Sequence, residues 1–144
     1  MQKKGFTLIE LLVVIAIIAL LSTLAVVALS SARQKSRDAK RLADIKQVQT
    51  ALELYFTDQN GYPAGTALVL GSADAICLGA GGFSTVGACT EPIYMGKVPT
   101  NPTPGGVAYT YTVNGTIYTI NFTLEGVSGG LALGAHVASP AGIQ

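Results

Sequence analysis

Apolar and polar positions fall into three regimes along this chain. Leu11 to Ala32 is a run of twenty-two residues without a charge, longer than the roughly 20 residues a helix needs to cross a bilayer. Beyond it, Leu42, Ile45, Val48, Leu52 and Tyr55 follow the three-and-four spacing of one helix face, with charged and amide residues on the other. No Pro or Gly lies between Gly5 and Gly61. The spacing therefore predicts a single helix from about Phe6 to Asp58, roughly 80 Å long at 1.5 Å per residue. Asn60-Gly61-Tyr62-Pro63 stops it: Gly61 can take the left-handed conformation that closes a helix, and Pro63 cannot continue one. Tyr62 then folds back on the last turn as a packed capping aromatic.

The third regime has period two. Val107-Ala-Tyr-Thr-Tyr-Thr-Val113 and Thr116-Ile-Tyr-Thr-Ile-Asn-Phe-Thr-Leu124 flank Asn114-Gly115, the signature of a hairpin with a two-residue turn. Registered about that turn, Tyr111 pairs with Tyr118, Tyr109 with Ile120 and Val107 with Phe122 on one apolar face. Thr112 with Ile117, Thr110 with Thr119 and Ala108 with Asn121 form the outward face. The apolar face is available to cover the Leu42-to-Tyr55 stripe, and Leu131 to Ser139 can add a third strand. Ala64 to Thr100 has no sustained period and reads as a long connecting loop with one short element. The fold class expected is α+β, a long N-terminal helix whose second half packs on a small antiparallel sheet.

Composition changes this picture little. The 49% apolar residues and 12% charged residues reflect the first regime, since residues 1–32 hold only Lys3, Lys4 and Glu10 as charges. Net charge is +1, which gives no basic-protein argument for nucleic acid. The basic stretch Arg33, Lys35, Arg37, Lys40 and Arg41, with Asp38 among it, reads as a solvated helix face. It is also open to lipid headgroups, DNA or acidic residues of neighbouring subunits. Because more cations follow the apolar run than precede it, the positive-inside rule alone would place the C-terminus in the cytoplasm.

Candidate chemistry is sparse. One His, scattered carboxylates, no phosphate loop and no nucleophile elbow give no catalytic constellation, so a non-enzyme is expected, with no cofactor. Cys77 and Cys89 with the single distant His136 do not make a zinc set. In an oxidising compartment a Cys77–Cys89 bridge would tether the loop, worth about 3 kcal/mol; two free buried thiols are the alternative. The sequon Asn114-Gly-Thr116 is explained by the turn, and Asn121-Phe-Thr123 lies within a strand.

The junction that precedes the apolar run carries the most information. Glu10 sits at its mouth, where a carboxylate costs roughly 2.5 to 3.5 kcal/mol at a helix centre and less near the interface, so Glu10 asks for a partner. A secretory signal peptide is one reading of the segment, with Ser30-Ser31-Ala32 or Ala28-Leu29-Ser30 as its cleavage site. Its apolar core usually holds about 7 to 15 residues and no acid. An uncleaved anchor is another. Lys3-Lys4-Gly5-Phe6-Thr7-Leu8-Ile9-Glu10, a basic leader ending in Gly with an aromatic next and Glu five residues past Gly, resembles the processing site of the type IV pilin and pseudopilin family. Tyr55 to Pro63 resembles the Tyr-rich helix end of that family.

The resemblance implies cleavage between Gly5 and Phe6 by a prepilin peptidase, N-methylation of Phe6, and an extracytoplasmic C-terminal domain. It implies assembly into a helical homo-oligomer through residues 6–32, with Phe6, Thr7 and Glu10 at the assembly contact. Glu10 of one subunit would pair with the Phe6 amine of a neighbour. An assembly ATPase and a platform protein would be partners, and lipid the surroundings before assembly. The chain would then divide into a leader (1–5), a membrane and polymerisation helix (6–32), an amphipathic continuation (33–60), a disulfide-bearing loop (61–106) and a sheet region (107–144). The product would be a surface filament, with a pseudopilus of a type II secretion system or a monomeric membrane-anchored binding domain as alternatives. Two departures stand out: no helix-kinking Pro occurs in the neighbourhood of Ser22 to Val27, and the cysteines precede the hairpin.

Overall fold

A computed structural model describes residues 5–144, so Lys3 and Lys4 of the expected leader lie outside the described residues. The chain divides into two compact units, one ending at Gln34 and one spanning Lys35–Gln144. The first unit is the opening part of α1 (Leu8–Gln59). That helix is long and apolar enough to cross a membrane. Its large apolar side chains from Leu8 to Leu29 are all exposed, none of them covered by the chain's own core.

The second unit contains the rest of α1 and eight short strands: β1 (Leu68–Val69), β2 (Cys77–Gly79), β3 (Gly82–Ser84), β4 (Ile93–Met95), β5 (Thr110–Asn114), β6 (Ile117–Leu124), β7 (Gly134–Ser139) and β8 (Gly142–Ile143). Five form an antiparallel sheet in the order β1-β5-β6-β7-β8, and three form a second sheet in the order β3-β2-β4. Burial along β6 alternates as the pleat requires. Tyr118, Ile120, Phe122 and Leu124 turn inward with Tyr109, Tyr111 and Ala138, and they meet Ile45, Val48, Ala51 and Leu52 of α1. Leu42 and Tyr55 pack at the ends of that stripe. Each fully buried Ile, Leu, Val or Phe contributes roughly 1.5 to 3 kcal/mol, so this seam holds helix to sheet. The architecture is the expected α+β arrangement.

The hairpin differs in detail. Asn114 lies opposite Ile117, Val113 opposite Tyr118 and Tyr111 opposite Ile120, so the turn is Gly115-Thr116 and not Asn114-Gly115. Only Gly115 takes a positive φ, 61°, as a Gly-X turn needs at its first central position. An Asn-Gly turn of the other kind would need both residues there. The register moves by two, which preserves faces, and the expected inward tyrosines stay inward. Val107 does not pair with Phe122: it precedes β5, is 60% exposed, and gives its N–H to the Thr123 hydroxyl at 2.8 Å. Leu124 fills the apolar face in its stead.

Three other expectations are corrected or sharpened. Asn60, not Gly61, takes the left-handed conformation that ends α1, at φ 54°, since Asn tolerates that region better than other residues with a Cβ. Tyr62 does fold back, its ring 4.8 Å from that of Phe56 and its hydroxyl 3.0 Å from Glu53 Oε1. The stretch 64–100 is not a loop with one short element. It carries β1 to β4, strands of only two or three residues that are too short for a period to show, and it buries Leu70, Ala75, Leu78 and Val98.

Candidate functional site

The N-terminal site begins with a helix start. Gly5, Phe6 and Thr7 precede α1 and are exposed. Thr7 donates its backbone N–H (2.8 Å) and its hydroxyl (2.6 Å) to Glu10 Oε2, and the Glu10 N–H reaches back to the Thr7 hydroxyl at 3.3 Å. This is a capping box: Thr7 is the N-cap and Glu10 the third helical residue, so two orphan donors of the first turn are satisfied reciprocally. Glu10 thus has a partner within its own chain. Oε1 of Glu10 accepts no hydrogen bond among the described residues. The signal Thr-x-x-Glu before an apolar run was present in the sequence, although the membrane cost of the carboxylate draws the eye first. Phe6 is 85% exposed and lines a shallow apolar surface with Ile9, Val13, Val14 and Glu10.

A second cluster organises the basic stretch. Arg41 is fully buried and Asp38 is 1% exposed. Arg41 donates Nε to Asn101 Oδ1 (2.7 Å), Nη1 to Asp38 Oδ1 (2.7 Å), and Nη2 to the carbonyls of Pro102 and Gly105 (both 2.9 Å). Nη1 also meets Glu125 Oε1 at 2.6 Å. All five guanidinium donors are thereby used. Asp38 in turn accepts the backbone N–H groups of Glu125 and Gly126, and Arg37 grips Glu125 in a two-pronged pair. The Glu125 carboxyl is held down at about 2, chiefly by the Arg37 hydrogen bond, which outweighs the desolvation cost, with Arg41 lowering it further.

Gly105 and Gly106 make this approach feasible. Both have positive φ, and a Cβ on Gly106 would lie 2.9 Å from Arg41 Nε and Nη2. So Arg37, Asp38 and Arg41 are not a solvated face; they tie α1 to the turn after β6 and to loop 101–106. Asn101 and Glu125 lie sixty or more positions away, and nothing local in the sequence announces them. Lys35 and Lys40 of the same stretch remain exposed.

The third feature is the disulfide between Cys77 and Cys89, whose Cα atoms are 6.3 Å apart. It ties β2 to the segment between β3 and β4. Among the described residues, no group of three or more His, Cys, Asp and Glu side chains gathers as a metal site.

Comparison with known proteins bears on the first of these features. Residues 1–26 match the family model described as a prokaryotic N-terminal methylation motif. The chain's N-terminal region is similar to that of type IV pilus and type II secretion subunits. Among its curated relatives are type II secretion system core protein G of Pectobacterium carotovorum subsp. carotovorum, 38% identical over 63 residues, covering 44% of this chain and 40% of that protein. The same protein of Aeromonas hydrophila is 41% identical over 66 residues, covering 44% of this chain and 46% of that protein. The type IV wide pilus major component PilA4 of Thermus thermophilus is 40% identical over 67 residues, covering 46% and 51%. The chain thus spans about half the length of the curated relatives it matches. No solved structure matches it.

Proposed function

We propose that the chain is a structural subunit that is processed between Gly5 and Phe6, methylated on Phe6, held in a membrane by α1 and then polymerised through residues 6–32 into a filament. One observation carries the reading: within the span that matches a methylation motif, a helix start capped by Thr7 and Glu10 leads into an apolar surface that the chain leaves exposed. Lipid covers such a surface before assembly and neighbouring subunits cover it afterwards, so anchor and polymerisation surface are the same residues. The capping box orients Glu10 while leaving Oε1 for a neighbour's Phe6 amine, so an ion pair can form across the subunit contact without dismantling the helix start. The partners implied are a prepilin peptidase, an assembly ATPase and a platform protein, with no catalysis by the chain itself. The C-terminal unit would be extracytoplasmic, against the positive-inside reading, as the disulfide favours.

A surface filament for adhesion, motility or DNA uptake is the main reading. A secretion pseudopilus is the second, favoured by relatives named as type II secretion core protein G. Glu10→Val tests the assembly claim. Cleavage after Gly5 should continue while the subunit disappears from sheared filaments. Wild-type levels of the variant in sheared material would remove Glu10 from the mechanism.

A further inference from the structure

The turn between β6 and β7 is pinned to the first helical turns of the C-terminal unit and yet ends in uncovered apolar side chains. Asp38 holds the N–H groups of Glu125 and Gly126, and a Cβ on Gly129 would lie 2.6 Å from Leu42. Ser128 and Leu131 close the turn on each other. Beside this fixed frame Val127 is 74% exposed and Leu133 69% exposed. Five residues lie between Ala32, the last of the uncharged run, and Asp38. Lys35 lies seven positions before Leu42 and therefore on the same helix side. Lys35 and Lys40 are exposed, whereas Asp38 and Asp44 are buried. Folding thus buries both acids of the segment together with Arg41 and leaves Lys35 and Lys40 outside.

We propose that the β6–β7 turn is a membrane-resting element. Val127 and Leu133 enter the headgroup boundary of an anionic bilayer beside the anchor, and Lys35 and Lys40 meet the headgroup phosphates. The inference rests on the reading of α1 as membrane-inserted. Apolar side chains on a rigid turn, with exposed lysines on the adjoining helix, are the chemistry of interfacial binding. Continuity with the anchoring segment argues for lipid over a soluble partner. The contact would seat the C-terminal unit on the membrane until assembly lifts it off.

The chain contains no Trp, so Val127→Trp and Leu133→Trp each give a single reporter, and Ile117→Trp, about 23 Å away along β6, is the control. The full-length chain is placed in phosphatidylcholine vesicles containing a quarter phosphatidylglycerol, with or without brominated acyl chains, and its partition is checked by flotation. Expected is about a twofold or greater loss of emission from Trp at 127 and 133 on bromination, with little at 117. Lys35→Gln with Lys40→Gln, or vesicles of phosphatidylcholine alone, should weaken the quenching. Equal quenching at 117 and 127 in a floating chain overturns the proposal and leaves the anchor reading intact. A blue-shifted but unquenched Trp at 127 also overturns it, in favour of a contact with a second copy. A chain that fails to float overturns both.

Discussion

Replacing Arg41 with Met removes its guanidinium donors at similar side-chain length, and the structure shows which acceptors are then stranded. Asp38 keeps two backbone N–H donors, Glu125 keeps Arg37, and the Gly105 carbonyl keeps Asn101 Nδ2 at 2.8 Å. Asn101 Oδ1 and the Pro102 carbonyl lose their Arg41 donor, and Asp38 loses its buried counter-cation. Adding five charge-assisted bonds would overstate the effect. Removing one partner of a buried pair costs about 3 to 5 kcal/mol, because the other charge stays buried. With a urea slope of about 1 to 2 kcal/mol/M, the midpoint should fall by roughly 1.5 to 5 M. The assay is urea unfolding of the full-length chain in non-ionic detergent, read by near-ultraviolet circular dichroism of the buried tyrosines. Arg37→Met, which loses only a partly exposed pair, should lower the midpoint far less. A midpoint for Arg41→Met equal to that of Arg37→Met would refute the reasoning.

Two other perturbations follow from the same geometry. The folded-state pKa of Glu125, about 2, lies below its ordinary value of 4.5, so its contribution is complete above about pH 4.5 and is lost as pH falls towards 2. Glu125→Gln should flatten stability across that window in acid titrations, and an unchanged slope would count against the Arg37 and Arg41 contacts. Substituting Cys77 and Cys89 together by Ser should cost about 2 to 4 kcal/mol, seen as a lower thermal midpoint that reductant reproduces in the wild type. Insensitivity of the wild type to reductant would mean the bridge constrains nothing that unfolding releases.

The long-period features were legible in the sequence and the short ones were not. Fifty-two residues of α1 announce themselves because no breaker intervenes and because Ile45, Val48 and Leu52 repeat on one face. The hairpin faces survived an error of register because a slip of two keeps parity, while the turn itself was misplaced because Asn-Gly and Gly-Thr are both acceptable chemistry and only φ distinguishes them. Strands of two or three residues between 68 and 95 leave no period to read. At the N-terminal site Gly5, Phe6 and Glu10 stood out by their order, and Thr7 gained its structural meaning only through its bonds to Glu10. The Arg41 cluster was opaque because its acceptors are carbonyls and side chains brought in by chain reversal from positions 101 to 126.

The central claim is that this chain is matured at Gly5 and assembled through α1. Mass spectrometry of the N-terminal peptide and the intact chain, from native membranes and from sheared surface material, tests it most directly. The account predicts a chain beginning at N-methylated Phe6 in both fractions. A chain beginning at Met1, or near Ser31, Arg33 or Gln34, would contradict it.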